Sequence, residues 1–421
     1  MKQSVLFLLL SLLLFPLSGA EKEADPLREK AYSGDPEAAF KLGNDYYYGE
    51  NGRNKNLHLA AHWYLQAAKK NLPEAMYNYA ICAERLSKTP GEKYKAFQWY
   101  QKAAEMDFDP ARFRLAALYS EGLKDEDGKV LIRKSPASAL VQLEILNSRD
   151  YEPGQLLLAS LLLQPGVREE RKARAYGILT KVCARKKHSP AALRMLADCF
   201  YGGIGCEKNP RKAFLYLVNA SDRGDAEATA KLGYLYETGE SGVKKDLKRA
   251  FECYKKAAGQ QHGMGMYKYG EALFDGTLME EGKGKKEALE LLRGSAAQGC
   301  VQAMYKLGTI YESGLGGEKA NAGIAARCYY EAAKLGFAPA QYKFGQFFAE
   351  GKGVRQQDDG AAFYWFRLAA VQGYPAALRC AGIALLEGKG IERSRTRGMS
   401  LLQEAAKKGD VTAIRLLETM R

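Results

Sequence analysis

The sequence predicts an all-α protein, an α/α superhelical solenoid of about ten stacked helix-turn-helix repeats. Three observations lead to this prediction. A pattern of alanine, glycine and tyrosine recurs about every 37 residues, apolar residues within each copy are spaced by three and four, and glycines interrupt that spacing twice in most copies. Such periods are typical of helical hairpins that bury their apolar faces against neighbouring copies, so we expect one continuous array.

The copies have nearly equal lengths. Each opens with an alanine or a glycine, and successive openings lie 36 to 38 residues apart, except for 43 residues between the third and the fourth. The third copy therefore contains an insertion. The fourth copy departs most from the pattern, because its second half, Arg171 to Cys183, lacks the usual aromatic pair. The ten openings are Ala38, Ala75, Ala111, Gly154, Ala192, Ala228, Gly265, Ala303, Ala340 and Ala377.

The eighth copy illustrates how one unit forms two helices. Apolar residues at helical spacing over 303–311 predict a first helix, which Gly314 ends. A second stripe over 325–333 predicts a second helix, which Gly336 ends. Pro339 then lies in the opening turn of the next helix, where proline removes no internal hydrogen bond.

The chain ends differ from the array. Lys2, an apolar stretch from Val5 to Leu14 and the small residues Ser18 to Ala20 are typical of a secretory signal peptide. We therefore predict an exported protein of the periplasm or the extracellular space, with no membrane anchor after cleavage. The predicted divisions are a signal peptide at 1–20, an N-terminal linker or cap at 21–34, the repeat array at 35–409 and a C-terminal capping helix at 410–421.

The charge and the cysteines limit the partners and the redox chemistry. A net charge of +14 favours anionic partners. Because export is predicted, we expect an acidic protein or an anionic envelope glycan instead of a nucleic acid. Five of the eight cysteines occupy positions that hold tryptophan, valine or leucine in other copies, so we predict core thiols there, while a bridge involving Cys183, Cys300 or Cys380 stays open. The five are Cys82, Cys199, Cys206, Cys253 and Cys328.

The sixth copy displays the recurring pattern in full, as Ala228, Leu232-Gly233, Tyr236, Gly239, Gly242-Val243, Asp246, Arg249-Ala250, Cys253-Tyr254 and Ala257-Ala258. This order of residues resembles that of the Sel-one-like repeat family, a branch of the tetratricopeptide-repeat superfamily. The resemblance covers about Asp35 to Gly409, and it implies a superhelix with a concave face on which partner proteins bind. The resemblance implies a non-catalytic scaffold or adaptor. Together with the predicted signal peptide, this gives an exported scaffold, which we expect to be a monomer.

The sequence predicts no catalytic residue, no cofactor and no metal site. His58 and His62 have the i, i+4 spacing of two metal ligands, but no third ligand stands nearby and a solvated helix face is the alternative. A cell-wall-associated enzyme, or a subunit of one, acting on peptidoglycan or β-lactams stays open as the other function, since distant copies can bring polar groups together.

Two columns of residues on the first helices are the candidate partner-binding site. A cation stands two residues before the repeat glycine in several copies, and an aromatic residue often precedes it. One interpretation is a groove with aromatic anchors and cationic steering for an anionic or aromatic-rich partner. The other is that the aromatic rings pack between copies and the lysines are solvated. The candidate residues are Lys231, Lys268, Lys306, Lys343, Tyr267, Tyr305 and Tyr342.

Overall fold

A computed structural model describes residues 25–277 and 284–420, and it confirms the predicted fold class. The described residues form twenty-two α-helices, one 3-10 turn and one short hairpin. The predicted signal peptide, 1–20, lies outside the described residues. The chain divides into two compact units, Met1–His188 and Ser189–Arg421.

The first unit contains nine described helices and the hairpin. Their bounds are α1 Pro26–Tyr32, α2 Pro36–Tyr48, α3 Leu57–Ala68, α4 Pro73–Leu86, α5 Pro90–Glu105, α6 Asp109–Glu121, β1 Leu123–Lys124, β2 Val130–Ile132, α7 Pro136–Ser148, α8 Glu152–Leu162 and α9 Glu169–Cys183. Repeats 1 to 4 are the helix pairs α2 with α3 through α8 with α9, and each helix packs against the next.

The second unit contains thirteen described helices. Their bounds are α10 Pro190–Gly202, α11 Pro210–Asp222, α12 Ala226–Thr238, α13 Leu247–Gly259, α14 Gly263–Asp275, α15 Lys285–Ala297, α16 Val301–Ser313, α17 Ala322–Lys334, α18 Ala338–Glu350, α19 Asp359–Val371, α20 Pro375–Glu387, α21 Arg395–Lys407 and α22 Val411–Thr419. Repeats 5 to 10 are the pairs α10 with α11 through α20 with α21, and α22 packs on α21.

Glycines and polar caps set the helix ends. Gly314 takes a left-handed conformation, φ 67°, directly after α16, as the sequence predicts. The side chain of Asn321 accepts a hydrogen bond of 3.0 Å from the amide of Ile324 and caps α17. In this repeat the first helix therefore ends at a glycine, and a connector leads to the capping residue at which the second helix begins.

The repeat glycine allows the two helices of a repeat to approach closely. A Cβ atom added at Gly308 would lie 2.5 Å from Cε1 of Tyr329, a fully buried side chain on the second helix. Gly233 and Tyr254 have the same relationship two repeats earlier. The glycine and the tyrosine of the pattern are thus a packed pair, in which the missing side chain makes room for the ring.

The insertion in the third copy forms an antiparallel hairpin, β1 with β2, that the sequence analysis did not predict. Its turn is closed by Asp125, whose carboxylate accepts a hydrogen bond of 2.7 Å from the amide of Lys129, and Gly128 has a φ of 83°. Ile132 joins the core of the first unit. The hairpin is therefore a local addition to the helical array.

Candidate protein-interaction surface

The predicted cationic column connects neighbouring repeats. Each of its lysines on α12, α14, α16 and α18 forms an ion pair with a carboxylate on the first helix of the preceding repeat. The lysine side chains keep 22% to 35% exposure. The pairs, with their Nζ to oxygen distances, are Lys231 with Asp198 at 2.8 Å, Lys268 with Glu237 at 3.1 Å, Lys306 with Asp275 at 2.8 Å, and Lys343 with Glu312 at 3.3 Å.

A tyrosine of the second helix completes the contact at some junctions. The hydroxyl of Tyr329 donates a hydrogen bond of 2.7 Å to Glu312, which also binds Lys343. We call such a set of tyrosine, glutamate and the cation of the next repeat an inter-repeat clasp. The clasps are Tyr329, Glu312 and Lys343; Tyr254, Glu237 and Lys268; and, in the first unit, Tyr100, Glu84 and Arg114.

The clasp changes the acidity of its members. Burial alone would raise the pKa of Glu312, but hydrogen bonds from Tyr329 and Lys352 and the charge of Lys343 outweigh it, so the pKa of Glu312 lies below its usual value. Burial and the adjacent carboxylate raise the pKa of Tyr329 far above its usual value. At neutral pH the carboxylate is therefore ionised and the phenol is a hydrogen-bond donor.

The aromatic column packs along the array. The ring centroid of Tyr305 lies 5.5 Å from that of Tyr329 and 5.6 Å from that of Phe337, just before the next first helix. Tyr342 makes the corresponding contact with Tyr374 at 5.5 Å. All three candidate tyrosines remain half-buried, and the hydroxyl of the third, Tyr267, donates to Glu271.

Two repeats have an arginine at the position of the aromatic column, and there the residue just before the helix that follows the repeat is an aspartate instead of an aromatic residue. Arg194 Nε lies 3.2 Å from a carboxylate oxygen of Asp225, the N-cap of α12. Arg379 and Asp410 repeat this pair between α20 and α22, at 3.1 Å. In these pairs an aromatic residue meets an aromatic residue and an arginine meets a carboxylate, so the two members match in chemistry, as residues that set the register between adjacent helices should.

These contacts change the interpretation of the cationic column. The sequence analysis predicted a free or solvated row of lysines, but each lysine's charge is offset by a carboxylate of the preceding repeat. The acidic partners were missed because they occur at three different positions relative to the repeat opening, as Asp198, Glu237 and Asp275 illustrate. The partner-binding role of the seven candidate residues stays a prediction.

Tyrosines on the first helices of repeats 5 and 6 are more exposed. Tyr234 on α12 is 44% exposed, and its hydroxyl donates a hydrogen bond of 2.8 Å to Glu240 in the connector of repeat 6. The hydroxyl of Tyr201, at the end of α10, donates to the same carboxylate. Glu240 therefore orients two tyrosines that water can reach.

The junction between repeats 9 and 10 has no clasp. The positions of its three members hold Phe366, Ala349 and Cys380, and an open pocket of about 230 Å³ lies beside them. Burial raises the pKa of the Cys380 thiol, so the three residues at the clasp positions are uncharged at neutral pH. The lining consists of Gln346, Ala349, Glu350, Asp359, Ala362, Phe363, Phe366, Cys380, Ile383, Ala384, Glu387 and Lys389.

The other candidate groups carry no assembled chemistry in the described residues. His58 is exposed, whereas burial lowers the pKa of the half-buried His62. The described residues contain no cluster of three or more His, Cys, Asp or Glu suited to a metal ion. Within 25–277 and 284–420, no helix has the length and apolar character needed to span a membrane.

The predicted core thiols divide by depth. Cys82 and Cys199 are completely buried free thiols, and burial raises the pKa of each to about 12. The other three predicted core thiols, Cys206, Cys253 and Cys328, are half-buried and also free.

The chain is similar to several regulator proteins of fungi. It is 26% identical over 313 residues to chitin synthase regulatory factor 3 of Schizosaccharomyces pombe, covering 72% of this chain and 28% of that protein. It is 26% identical over 206 residues to the chitin synthase regulator SKT5 of Saccharomyces cerevisiae, covering 46% of this chain and 28% of that protein. The chain thus spans less than two fifths of the length of its fungal relatives.

Two solved structures share the fold. The structure of c5321, a protective antigen of uropathogenic Escherichia coli strains with an SLR fold, is 25% identical, with a TM-score of 0.50 over 93% of this chain and 81% of that one. A Sel1 repeat protein from Oxalobacter formigenes is 28% identical, with a TM-score of 0.50 over 60% of this chain and 96% of that one.

The repeats themselves match one family model. The model for the Sel1 repeat matches eight segments, and repeats 3 and 4 lie between the second and third of them. The segments are 36–72, 73–108, 190–225, 226–262, 263–300, 301–337, 338–374 and 375–410. These matches cover more than half of the chain, which is therefore a member of the Sel1 repeat family.

Proposed function

We propose that this chain is an exported, non-catalytic scaffold that binds a partner protein on the surface formed by the first helices of repeats 5 to 9. The observation that carries the proposal is that clasps and register contacts tie these helices side by side. A surface that is already ordered loses little conformational freedom on binding. The relatives named as chitin synthase regulators support a role exerted on another protein and not on a small substrate.

The tyrosines are the proposed anchors. Tyr267, Tyr305 and Tyr342 are half-buried, so each combines a fixed ring with a reachable edge, and aromatic residues of this kind dominate binding energy at interfaces. The lysines contribute less, because the neighbouring carboxylates offset their charge. The proposed partner segment is therefore recognised mainly through aromatic side chains, with acidic side chains as a weaker second contribution. An anionic envelope glycan is the alternative that the experiment separates.

Site-specific photocrosslinking tests the proposed surface. A benzophenone amino acid replaces either Tyr234 on a first helix or Leu215 on a second helix; the two positions are 44% and 61% exposed. In the native envelope fraction we expect a protein adduct from position 234 and none from position 215, although position 215 is the more exposed of the two. Adducts from 215 alone, or only glycan captured at 234, contradict the proposal.

The lysines need a neutral replacement in such experiments. Glutamate at Lys268, Lys306 and Lys343 would face Glu237, Asp275 and Glu312, so lost binding would be confounded with repulsion between repeats. Glutamine at the three positions removes the positive charge without adding a negative one. We expect this triple variant to yield less of the 234 adduct, with a weaker salt dependence.

A further inference from the structure

The pocket at the junction of repeats 9 and 10 has the composition of a side-chain receptor. Ala349 and Cys380 stand where the clasps hold charged residues, and Phe366 stands where they hold the tyrosine, so three residues of the lining have neither a charge nor a hydroxyl group. Phe366 is only 7% exposed, and Ile383 adds a further apolar wall. Gln346, the amide side chain of the lining, already donates a hydrogen bond of 2.9 Å to the hydroxyl of Tyr342, so an apolar occupant of the pocket does not break this contact.

The mouth of the pocket is acidic, although the chain as a whole carries a charge of +14. Glu350, Asp359 and Glu387 line it together with Lys389. Lys389 pairs with Glu387 at 2.7 Å, so three carboxylates and one ammonium leave a net charge of −2. Glu350 and Glu387 are exposed and end their helices, where they meet water and any bound partner.

We propose that this pocket receives one bulky apolar side chain from a partner polypeptide, in a segment where lysine or arginine flanks that side chain. Its volume of about 230 Å³ suits a single leucine, methionine or phenylalanine and is below the roughly 300 Å³ at which small-molecule sites begin. The net negative mouth favours flanking cations over flanking carboxylates. The inference rests on the proposed function only in requiring a polypeptide partner.

Methyl NMR of the intact chain measures binding at the pocket directly. The isoleucine δ1 methyl groups are labelled with ¹³C, so that Ile383 reports on the pocket and Ile310, in repeat 8, serves as the internal reference. The probes are short synthetic peptides with a central leucine flanked by lysines, the same peptide flanked by glutamates, and the lysine peptide with a central alanine. We expect a saturable shift of Ile383 with the first probe and about tenfold weaker binding of the other two.

Variants separate the pocket from the peptide. Ala349→Leu should fill the pocket and abolish the Ile383 shift. Glu350→Lys combined with Glu387→Lys should reverse the preference to the glutamate-flanked peptide, and lysine near a helix C-terminus is compatible with folding. Glu290→Lys, at an exposed position on α15, is the matched control and should bind as the unmodified chain does.

Equal binding of the lysine- and glutamate-flanked peptides overturns the pocket proposal, and so does an Ile383 shift that survives Ala349→Leu. Absence of a shift at millimolar peptide also overturns it. If the 234 adduct nevertheless forms, the scaffold stands and only the pocket assignment fails. If the peptide binds while neither crosslinking position yields an adduct, the first-helix surface fails and the pocket stands.

Discussion

Removing Glu312 tests whether the clasp stabilises the contact between repeats 8 and 9. In Glu312→Ala the hydroxyl of the fully buried Tyr329 loses its acceptor, and the ammonium groups of Lys343 and Lys352 lose theirs. A hydrogen bond to a charged group contributes about 1.5–3 kcal/mol, and each half-exposed lysine pair about 0.2–1 kcal/mol. We therefore expect the free energy of unfolding to fall by about 2–5 kcal/mol.

Urea unfolding followed by circular dichroism measures this change, with Tyr329→Phe and the double variant completing a cycle. Because both single changes remove the same hydrogen bond, the double variant should cost less than their sum by about 0.5–3 kcal/mol. Glu290→Ala, at an exposed position on α15, should stay within about 0.5 kcal/mol of the unmodified chain. Since long repeat arrays need not unfold in two states, the comparison holds where the m-values agree. A Glu312→Ala chain as stable as the Glu290→Ala control, or an additive double variant, would refute the clasp.

Three further outcomes follow from the same contacts. The pKa of Glu312 is lowered in the folded chain, so the stability that its carboxylate contributes is present above the usual glutamate pKa of about 4.3 and is lost as pH falls through the folded value. The difference in the free energy of unfolding between the unmodified chain and Glu312→Gln, measured by urea unfolding, should therefore shrink on acidification from pH 7. Gly308→Ala should lower the free energy of unfolding by about 1–3 kcal/mol, because the added Cβ would overlap the Tyr329 ring. Gly323→Ala, where the atom nearest to the added Cβ lies 3.4 Å away, should be neutral or stabilising in the same assay. The thiols of Cys82 and Cys199 should react with Ellman's reagent only after denaturation, and rapid reaction in the folded chain would contradict their complete burial.

The fold was predictable because its main determinants recur in order. Gly308 and Tyr329 illustrate this, since the pattern marks both positions and the packing of a ring against a glycine explains them together. The spacing of apolar residues placed the helices, and Gly314 ends α16 as its position predicted. The hairpin was not predictable in the same way, because its strands of two and three residues occur once and lack a repeating pattern.

The candidate site was only half predictable, because charge neutralisation depends on which side chains meet across a junction. Lys306 and Lys343 lie at equivalent positions, yet their partners Asp275 and Glu312 do not, so aligning the copies does not reveal them. The pocket escaped the sequence analysis for a related reason. The sequence analysis singled out Cys380 only as a possible member of a bridge and did not single out Ala349. The loss of the clasp and the space beside it depend on how both residues meet Phe366 across the junction.

The matching of residues across junctions predicts which repeats can be deleted. Deleting Ala303–Pro339 removes repeat 8 in register and brings Lys343 opposite Asp275, where Lys306 stood, so the ion pair is kept. Deleting Ala340–Ala376 removes repeat 9 and brings Cys380 opposite Glu312 in place of Lys343. Because stability in a repeat array is shared between neighbours, both shortened chains should fold, but the second should be less stable by about 1 kcal/mol.

The substitution Cys380→Lys distinguishes this explanation from a general cost of shortening the array. In the repeat 9 deletion it should restore a clasp with Glu312 and Tyr329, and so raise the urea midpoint to that of the repeat 8 deletion. In the intact chain the same lysine would face Ala349 and Phe366 without an opposing carboxylate at the clasp position, and it should destabilise by about 0.5–3 kcal/mol. The same substitution must therefore have opposite effects in the two backgrounds. An equal effect in both would mean that the clasp does not determine how adjacent repeats fit together.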